Sequence, residues 1–282
     1  TVLDRRWPAT VAPLACDERL PPLARAMAAI PLLALDVQHS FNSAPRVRHE
    51  IAAALLRHNA ALLVAQPPCA GPVHRLLAQR WKPDDDGFAD LVRAALVVCA
   101  DHELNVSAFA ARVVASTGAH LHATVCSGLA ALSGPRHGGA TARAYALIAD
   151  ARDAGSAHDF IASRWQRGDD LPGFGHAMYP DGDPRGAELL ARLRMLHAGS
   201  VELDALEDII AATEQISGQR PNIDFMLAAI CHANGLPATP ALVMFAAGRV
   251  AGWLAHALEQ QAQGRLIRPR ARYAGVAPPE TA

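Results

Sequence analysis

The sequence predicts an all-α protein on three observations. Apolar residues recur at about 3.6-residue spacing through most of the chain, glycines punctuate the ends of those segments, and no sustained period-two run rich in Val, Ile and Thr occurs. Composition agrees with this. Of 282 residues 51% are hydrophobic but only 5% aromatic, so the core must be built from Ala, Leu, Val and Ile, which favours close helix packing. A chain of this length buries a substantial core, as one large domain or two smaller ones.

Residues 1–21 read as a proline-containing arm of weak periodicity, with Thr rather than Met at position 1. Segment 45–66 opens with Pro45 at a first helical position and carries Val47, Ile51, Ala54, Leu55, Leu62 and Val64 at helical spacing. Segment 87–100 follows the run Asp84-Asp85-Asp86, whose carboxylates suit a helix N-terminus. Asn105 is placed to cap a helix through Ser116, and 119–132 reads as the next. Helices are then expected over 139–154, 156–167, 184–197, 201–217, 221–233 and 238–262, with Gly155, Gly168, Gly199, Gly218, Gly235 and Gly264 at or near their ends. Between Phe225 and Gly248 there is no Asp, Glu, Lys or Arg, but Asn234, Gly235, Pro237 and Pro240 interrupt the stretch. It reads as two helices and a turn, not a membrane span. The glycine-rich stretches 134–139 and 168–175 and the turn 234–237 are the expected hinges. They divide the chain into a discontinuous large helical domain, 1–138 and 236–282, and a smaller inserted domain, 139–235.

A net charge of −1 gives no global basic field, so nucleic acid is not an expected partner and any anion site must be a local cluster. Lys82 is the only lysine. Five widely spaced cysteines with no C-x-x-C pair read mostly as buried reduced thiols, which points to a cytoplasmic protein. No basic-then-apolar leader opens the chain, since Arg5, Arg6 and Trp7 run into a proline-containing segment.

Chemistry concentrates in three places. His137 precedes Gly138-Gly139 and a helix start, where a neutral imidazole is favoured and can donate to a carbonyl oxygen gaining charge; alone it equally reads as a turn cap. His176 closes the turn Gly173-Phe174-Gly175, whose glycines allow close ligand approach, and Arg185 opens a helix after Pro184; an ordinary surface loop has the same local signature. Asp224 lies in the first turn of a helix begun by Pro221, as a base or simply as a carboxylate offsetting the dipole. Arg249 sits in an apolar helix and requires an anionic partner if buried; His256, Glu259 and Gln260 would otherwise place it on a polar stripe. Arg268 belongs to a basic tail with Arg265, Arg270 and Arg272, by default a solvated charge run. His102 precedes a helix, and no zinc-type spacing joins it to His120, His122 or Cys126, so no metal is expected. No G-x-S-x-G elbow is present.

The order and separation of these motifs say more than any one of them. Asp101-His102-Glu103 with Asn105-Val106-Ser107, Gly134 to Gly139, Gly173 to Arg185, Pro221 to Asp224, Gly252 to His256 and Arg268-Pro269-Arg270 together resemble the citrate synthase family, from about residue 90 to 275 and faintly back to about 20. The resemblance implies an all-α homodimer closing over oxaloacetate and then an acyl-CoA, with no tightly bound cofactor. It implies Asp224 as the base on the acetyl-CoA methyl group, His137 as stabiliser of the enol and His176 as acid on the oxaloacetate carbonyl. His102, Arg185 and Arg249 would hold oxaloacetate, Arg268 would reach the partner's site, and Gly173, Phe174, Gly175 and Asn222 would border CoA in the smaller, CoA-binding lobe. The chemistry suits these residue types, because a thioester α-proton is too weakly acidic for a lone carboxylate and enolate charge must be relieved as it forms. Relative to the family's pattern, Ala177 and Pro180 stand where basic residues are common, Arg136 replaces an apolar residue and Thr141 an Asn. Much of the family's N-terminal helical segment is also missing, as in a short paralogue or a fragment. The expected reaction is citrate formation. The alternatives are 2-methylcitrate formation from propionyl-CoA and a non-catalytic helical paralogue.

Overall fold

Several helix starts among the described residues are set by side chains that accept the amides a helix cannot pair internally. The computed structural model describes residues 6–36, 40–41, 44–272 and 274–276; Thr1, Arg5 and the outer bounds of the expected large domain, 1 and 282, lie outside the described residues. In order the helices are α1 (Ala12–Ala15), α2 (Pro22–Leu33, followed by a 3-10 turn Ala34–Asp36), α3 (Pro45–Leu63), α4 (Val73–Trp81), α5 (Asp86–Cys99) and α6 (Val106–Ser116). They continue with α7 (Leu121–Leu132), α8 (Gly139–Asp153), α9 (Ala157–Gln166), α10 (Pro184–Leu196), α11 (Val201–Ser217), α12 (Ile223–Ala233) and α13 (Thr239–Gln263). No strand occurs among the described residues, only the isolated bridges His102–Leu104 and Phe174–Pro221. The fold is all-α.

Asp85, Asn105, Ser156, Ser200 and Asn222 cap α5, α6, α9, α11 and α12 through their side-chain oxygens. Two expected starts move by two residues. Helix α12 begins at Ile223 rather than Pro221, because Asn222 takes the cap and Pro221 pairs with Phe174 across two loops. Helix α7 begins at Leu121, capped by His120 Nδ1 accepting from the Ala123 amide at 3.2 Å. Helices α1, α2 and α4 lie outside the segments assigned from periodicity. The first has four residues, the second carries Pro31 internally and the third spans only nine residues.

From Trp7 to α2 the described N-terminal residues make long-range bonds that the sequence does not advertise. Trp7 donates its indole N–H to the Gln66 carbonyl at 3.1 Å. Buried Arg25 donates to the carbonyls of Leu62 and Leu63, so a cation sits on the C-terminus of α3 where the dipole favours it.

Helix α13 is the axis of the molecule, packed against α3, α5, α6, α7, α8 and α12. By length and composition it is apolar enough to cross a membrane, yet 72% of its apolar window is buried inside the fold. Trp253 on α13 is fully buried because Gly128 on α7 leaves room; a Cβ there would stand 2.5 Å from the indole ring. The polar end of α13 is held by Arg112 of α6, which donates to Gln260 at 2.7 Å and pairs with Glu259. A second packing group joins α8 with α12, α9 with α11, and α10 with α12; it meets the first where α10 lies on α5 and where α8 and α12 lie on α13.

The cysteine expectation is corrected. Cys99 and Cys231 are buried, with burial pushing both thiols up to about 12, but Cys69 and Cys126 are only partly buried and Cys16 is exposed beyond the short helix α1. Loops from both packing groups converge at the seam between them.

Candidate active site

Four loops meet at this seam, and hydrogen bonds between distant segments fix them. The Asn222 amide donates to the Gly173 carbonyl at 2.8 Å and the Gly175 amide to the Arg220 carbonyl at 2.9 Å. Asn222 also donates its side-chain amide to the Gly175 carbonyl at 2.9 Å. The start of α12, bearing Asp224, is thereby tied to the loop bearing His176. Gly173 makes this approach possible: its φ is +91° and a Cβ would lie 2.8 Å from that of Phe225.

Asp183 and Arg185 anchor the same corner. The fully buried Asp183 carboxylate accepts from the Arg185 guanidinium at 2.7 and 2.9 Å and from the Ile223 amide at 3.0 Å. Burial pushes its carboxyl up, but the Arg185 and Ile223 hydrogen bonds outweigh that and hold it below the usual carboxylate range. Arg185 therefore meets the site already paired on one edge, with its guanidinium over the Tyr179 ring at 5.8 Å.

Arg249 is different. It is 1% exposed and donates Nε to the Cys99 carbonyl at 2.6 Å, its guanidinium stacks on Phe245 at 4.8 Å, and its Nη2 has no hydrogen-bond partner. The polar-stripe reading of this residue is corrected: the stripe lies further along α13. Among the described residues no carboxylate bonds this buried cation, and its unpaired N–H is a donor that an anion could use.

The charges of Arg249 and Arg185 reach every titratable group that the sequence singles out here. His137, in the turn between α7 and α8, meets Ser107 Oγ through Nε2 at 2.8 Å and sets its ring edge-on to Phe245. Burial, and then the charge of Arg249, lowers it to about 4, so it is a neutral imidazole at neutral pH. His102 is lowered to about 4 by burial and then by Arg185, His176 and Arg249. His176 is lowered too, by burial and then Arg185, and its Nδ1 accepts from the Met178 amide at 3.2 Å. The ring proton of neutral His176 therefore sits on Nε2.

Asp224 is half-buried and lies on the wall of a cavity of about 520 Å³, with Gly173, Phe174, Asn222, Arg143 and Trp165. Burial raises it to about 6 against the opposing pull of Arg185 and Arg249. His102 and His176 stand with Tyr179 in a cluster of rings with centroids 5.0 to 5.6 Å apart, outside the wall of that cavity. Gly175 contributes its carbonyl to Asn222 rather than to the wall. Among the described residues no three His, Cys, Asp or Glu side chains are grouped to hold a metal ion.

Arg268 does not join this site within its own chain. It is exposed, and the adjacent Ile267 amide is pinned to Ser116 Oγ at 3.1 Å, at the far end of α6 from Ser107. The axis between those two serines runs roughly 14 Å. Three contributors have no role in the sequence reading: Ser107, Tyr179 and Asp183. Ser107 receives the Trp253 indole N–H at 3.1 Å and sits 2.8 Å from both Asn105 Oδ1 and His137. The available signal for it was its place two residues after the cap residue Asn105.

Residues 15–270 match the citrate synthase C-terminal domain. The chain belongs to the citrate synthase family. It is 38% identical over 207 residues to putative citrate synthase 2 of Mycobacterium tuberculosis, covering 71% of this chain and 55% of that protein. It is also 38% identical over 188 residues to 2-methylcitrate synthase of Shewanella oneidensis, covering 65% and 50%. The chain thus spans about half the length of the curated relatives it matches. Among solved structures it is similar to citrate synthase from the archaeon Thermoplasma acidophilum in ternary complex with carboxymethyl coenzyme A and oxaloacetate, with a TM-score of 0.80 and 25% identity over 99% of this chain and 80% of that one. A second similar structure is citryl-CoA lyase from Hydrogenobacter thermophilus, with a TM-score of 0.66 and 28% identity over 76% and 88% of the two chains.

The raised Asp224 carboxyl carries a stability cost whose sign is set by linkage. Between the unfolded value near 3.8 and the folded value of about 6 the folded chain binds more protons, so this group destabilises the fold as pH rises through that window, and above it the cost is constant. Asp224→Asn is expected to be more stable than the wild type at pH 8, by about 1–3 kcal/mol, with the gain vanishing near pH 4. Urea unfolding at both pH values checks this; a variant less stable than wild type at pH 8 contradicts it.

Proposed function

We propose that this chain condenses acetyl-CoA with oxaloacetate to give citrate and CoA. The observation that carries the reading is Arg249, a buried guanidinium with an unpaired N–H beside three neutral or raised acid/base groups. A substrate with two carboxylates and a keto oxygen supplies the charge that Arg249 and the outer edge of Arg185 call for. His102 adds a neutral hydrogen bond.

In the proposed sequence Asp224 takes a methyl proton from the thioester while His137 donates a hydrogen bond to the thioester carbonyl, so enolate charge is relieved as it forms. In the structure Ser107 donates its hydroxyl to Asn105 Oδ1, with His137 Nε2 also 2.8 Å from its oxygen. In the proposed sequence the hydroxyl turns to donate to His137 Nε2, which leaves the imidazole proton on Nδ1 as the donor. The enol carbon then attacks the oxaloacetate keto carbon, and His176 gives its Nε2 proton to the keto oxygen, which becomes the tertiary hydroxyl. Water cleaves the citryl thioester, releasing citrate and the CoA thiol. The 520 Å³ cavity beside Asp224 is proposed to take the acyl-CoA arm, bordered by Gly173, Phe174 and Asn222. Residues 139–235 are proposed as the CoA-binding lobe, on a body formed by 1–138 and 236–282. The packing of α8 to α12 among themselves supports that division. The chain is proposed to act as a homodimer, the exposed Arg268 completing the site of its partner.

Release of CoA thiol in the presence of oxaloacetate tests the reading. Wild type is expected to turn over acetyl-CoA faster than propionyl-CoA, with an acid limb in kcat/KM near pH 6 set by Asp224. Asp224→Asn is expected to lose turnover by a few orders of magnitude with oxaloacetate binding retained. Faster turnover of propionyl-CoA would assign 2-methylcitrate formation instead; oxaloacetate binding without thiol release from either would leave a non-catalytic binding protein. The dimer proposal has its own check. Mixing Arg268→Ala chains with Asp224→Asn chains is expected to restore roughly a quarter of wild-type activity, by the statistics of a two-site dimer. No recovery despite confirmed subunit exchange would place Arg268 in its own chain's site or in none.

A further inference from the structure

Tyr179 stands against three of the groups gathered here. Its hydroxyl lies 3.0 Å from His102 Nε2, its ring centroid is 5.0 Å from that of His176, and the Arg185 guanidinium stands 5.8 Å over its face. The loop that presents it is braced by its own backbone, with the Tyr179 amide bonded to the His176 carbonyl at 3.0 Å and the Gly182 amide to the Tyr179 carbonyl at 3.1 Å. On the other side, the His102 carbonyl accepts from the Asn105 side chain at 3.3 Å in the short connection between α5 and α6. The Tyr179–His102 contact therefore bridges segments 77 residues apart.

One proton is shared between two atoms in that contact, and its direction can be argued. A phenol is the stronger donor and a neutral imidazole nitrogen the stronger acceptor of the two. The hydroxyl therefore donates to Nε2, and a neutral His102 must then carry its own proton on Nδ1. His176, whose Nδ1 is occupied by the Met178 amide, carries its proton on Nε2. The two adjacent histidines are thus held in opposite tautomers, each by a bond to the nitrogen it does not use as a donor.

We propose that Tyr179 is a positioning residue of the oxaloacetate pocket: its hydroxyl holds the His102 ring proton on Nδ1, where it serves as donor to a substrate oxygen, and its ring helps seat Arg185. This rests on the reading of His102 and Arg185 as oxaloacetate ligands. The change that isolates it is Tyr179→Phe, which removes the hydroxyl and keeps the ring.

Multiple-bond proton–nitrogen NMR of the full chain reads the tautomers directly, with the His102 signal assigned by its loss in His102→Gln. Wild-type His102 is expected to be protonated on Nδ1 and to shift toward Nε2 in Tyr179→Phe, while His176 stays protonated on Nε2 in both. Calorimetry with oxaloacetate is expected to show affinity about tenfold weaker in Tyr179→Phe, the scale of one lost hydrogen bond at a desolvated site, with the melting temperature moved by no more than a few degrees. Wild-type His102 protonated on Nε2 overturns the proposal, and so does a Tyr179→Phe chain with unchanged tautomer or unchanged oxaloacetate affinity. If wild type itself binds no oxaloacetate, the substrate reading fails, and the pocket role of Tyr179 fails with it; the NMR comparison then still decides whether Tyr179 sets the His102 tautomer.

Discussion

A guanidinium taken out of water without a carboxylate to meet it costs several kcal/mol, and this chain places one at its centre. Arg249 is held on α13, among Val243, Phe245, Val250 and Trp253, all of them buried. It is partly compensated by the Cys99 carbonyl and the Phe245 face, and one of its N–H groups is left with nothing. The cost is tolerated because α13 is gripped by six other helices. Rigid surroundings can keep a poorly satisfied group in place where a loose fold would relax around it.

Much of the site's electrostatics follows from that placement. A nearby unneutralised cation and low polarity act in the same direction on His137 and His102, and both are kept neutral. For Asp224 the two effects oppose each other, and burial wins, leaving a carboxyl near 6 that can accept a proton at neutral pH without being a strong acid. Arg185 is the moderated counterpart of Arg249, since Asp183 takes up most of its charge while also capping α10 and binding the Ile223 amide. One buried carboxylate thus sets the His176 loop, the start of α10 and the start of α12 relative to one another.

Much of this was legible from the sequence, and what was not has a common cause. The cap Asn105 acts within three residues of itself, and local rules find such a feature. The wrong start for α12 came from reading Pro221 by its helix preference when its partner is Phe174, 47 residues earlier. Ser107 and Tyr179 owe their roles to bonds spanning 30 and 77 residues, which no periodicity encodes. His120 escapes the usual cap rules because histidine is not among the residues that normally accept from a helix's first amides. His137, His176 and Asp224 stood out only as a set, through their order along the chain.

The central claim is that the unpaired edge of Arg249 exists to take a carboxylate of a small oxo-dicarboxylic acid. A crystal structure of this chain with oxaloacetate tests it most directly. A substrate carboxylate oxygen is expected at about 2.7–2.9 Å from Arg249 Nη2, with the keto oxygen facing His176 Nε2. Oxaloacetate bound elsewhere, with that nitrogen still unpartnered, would contradict the account.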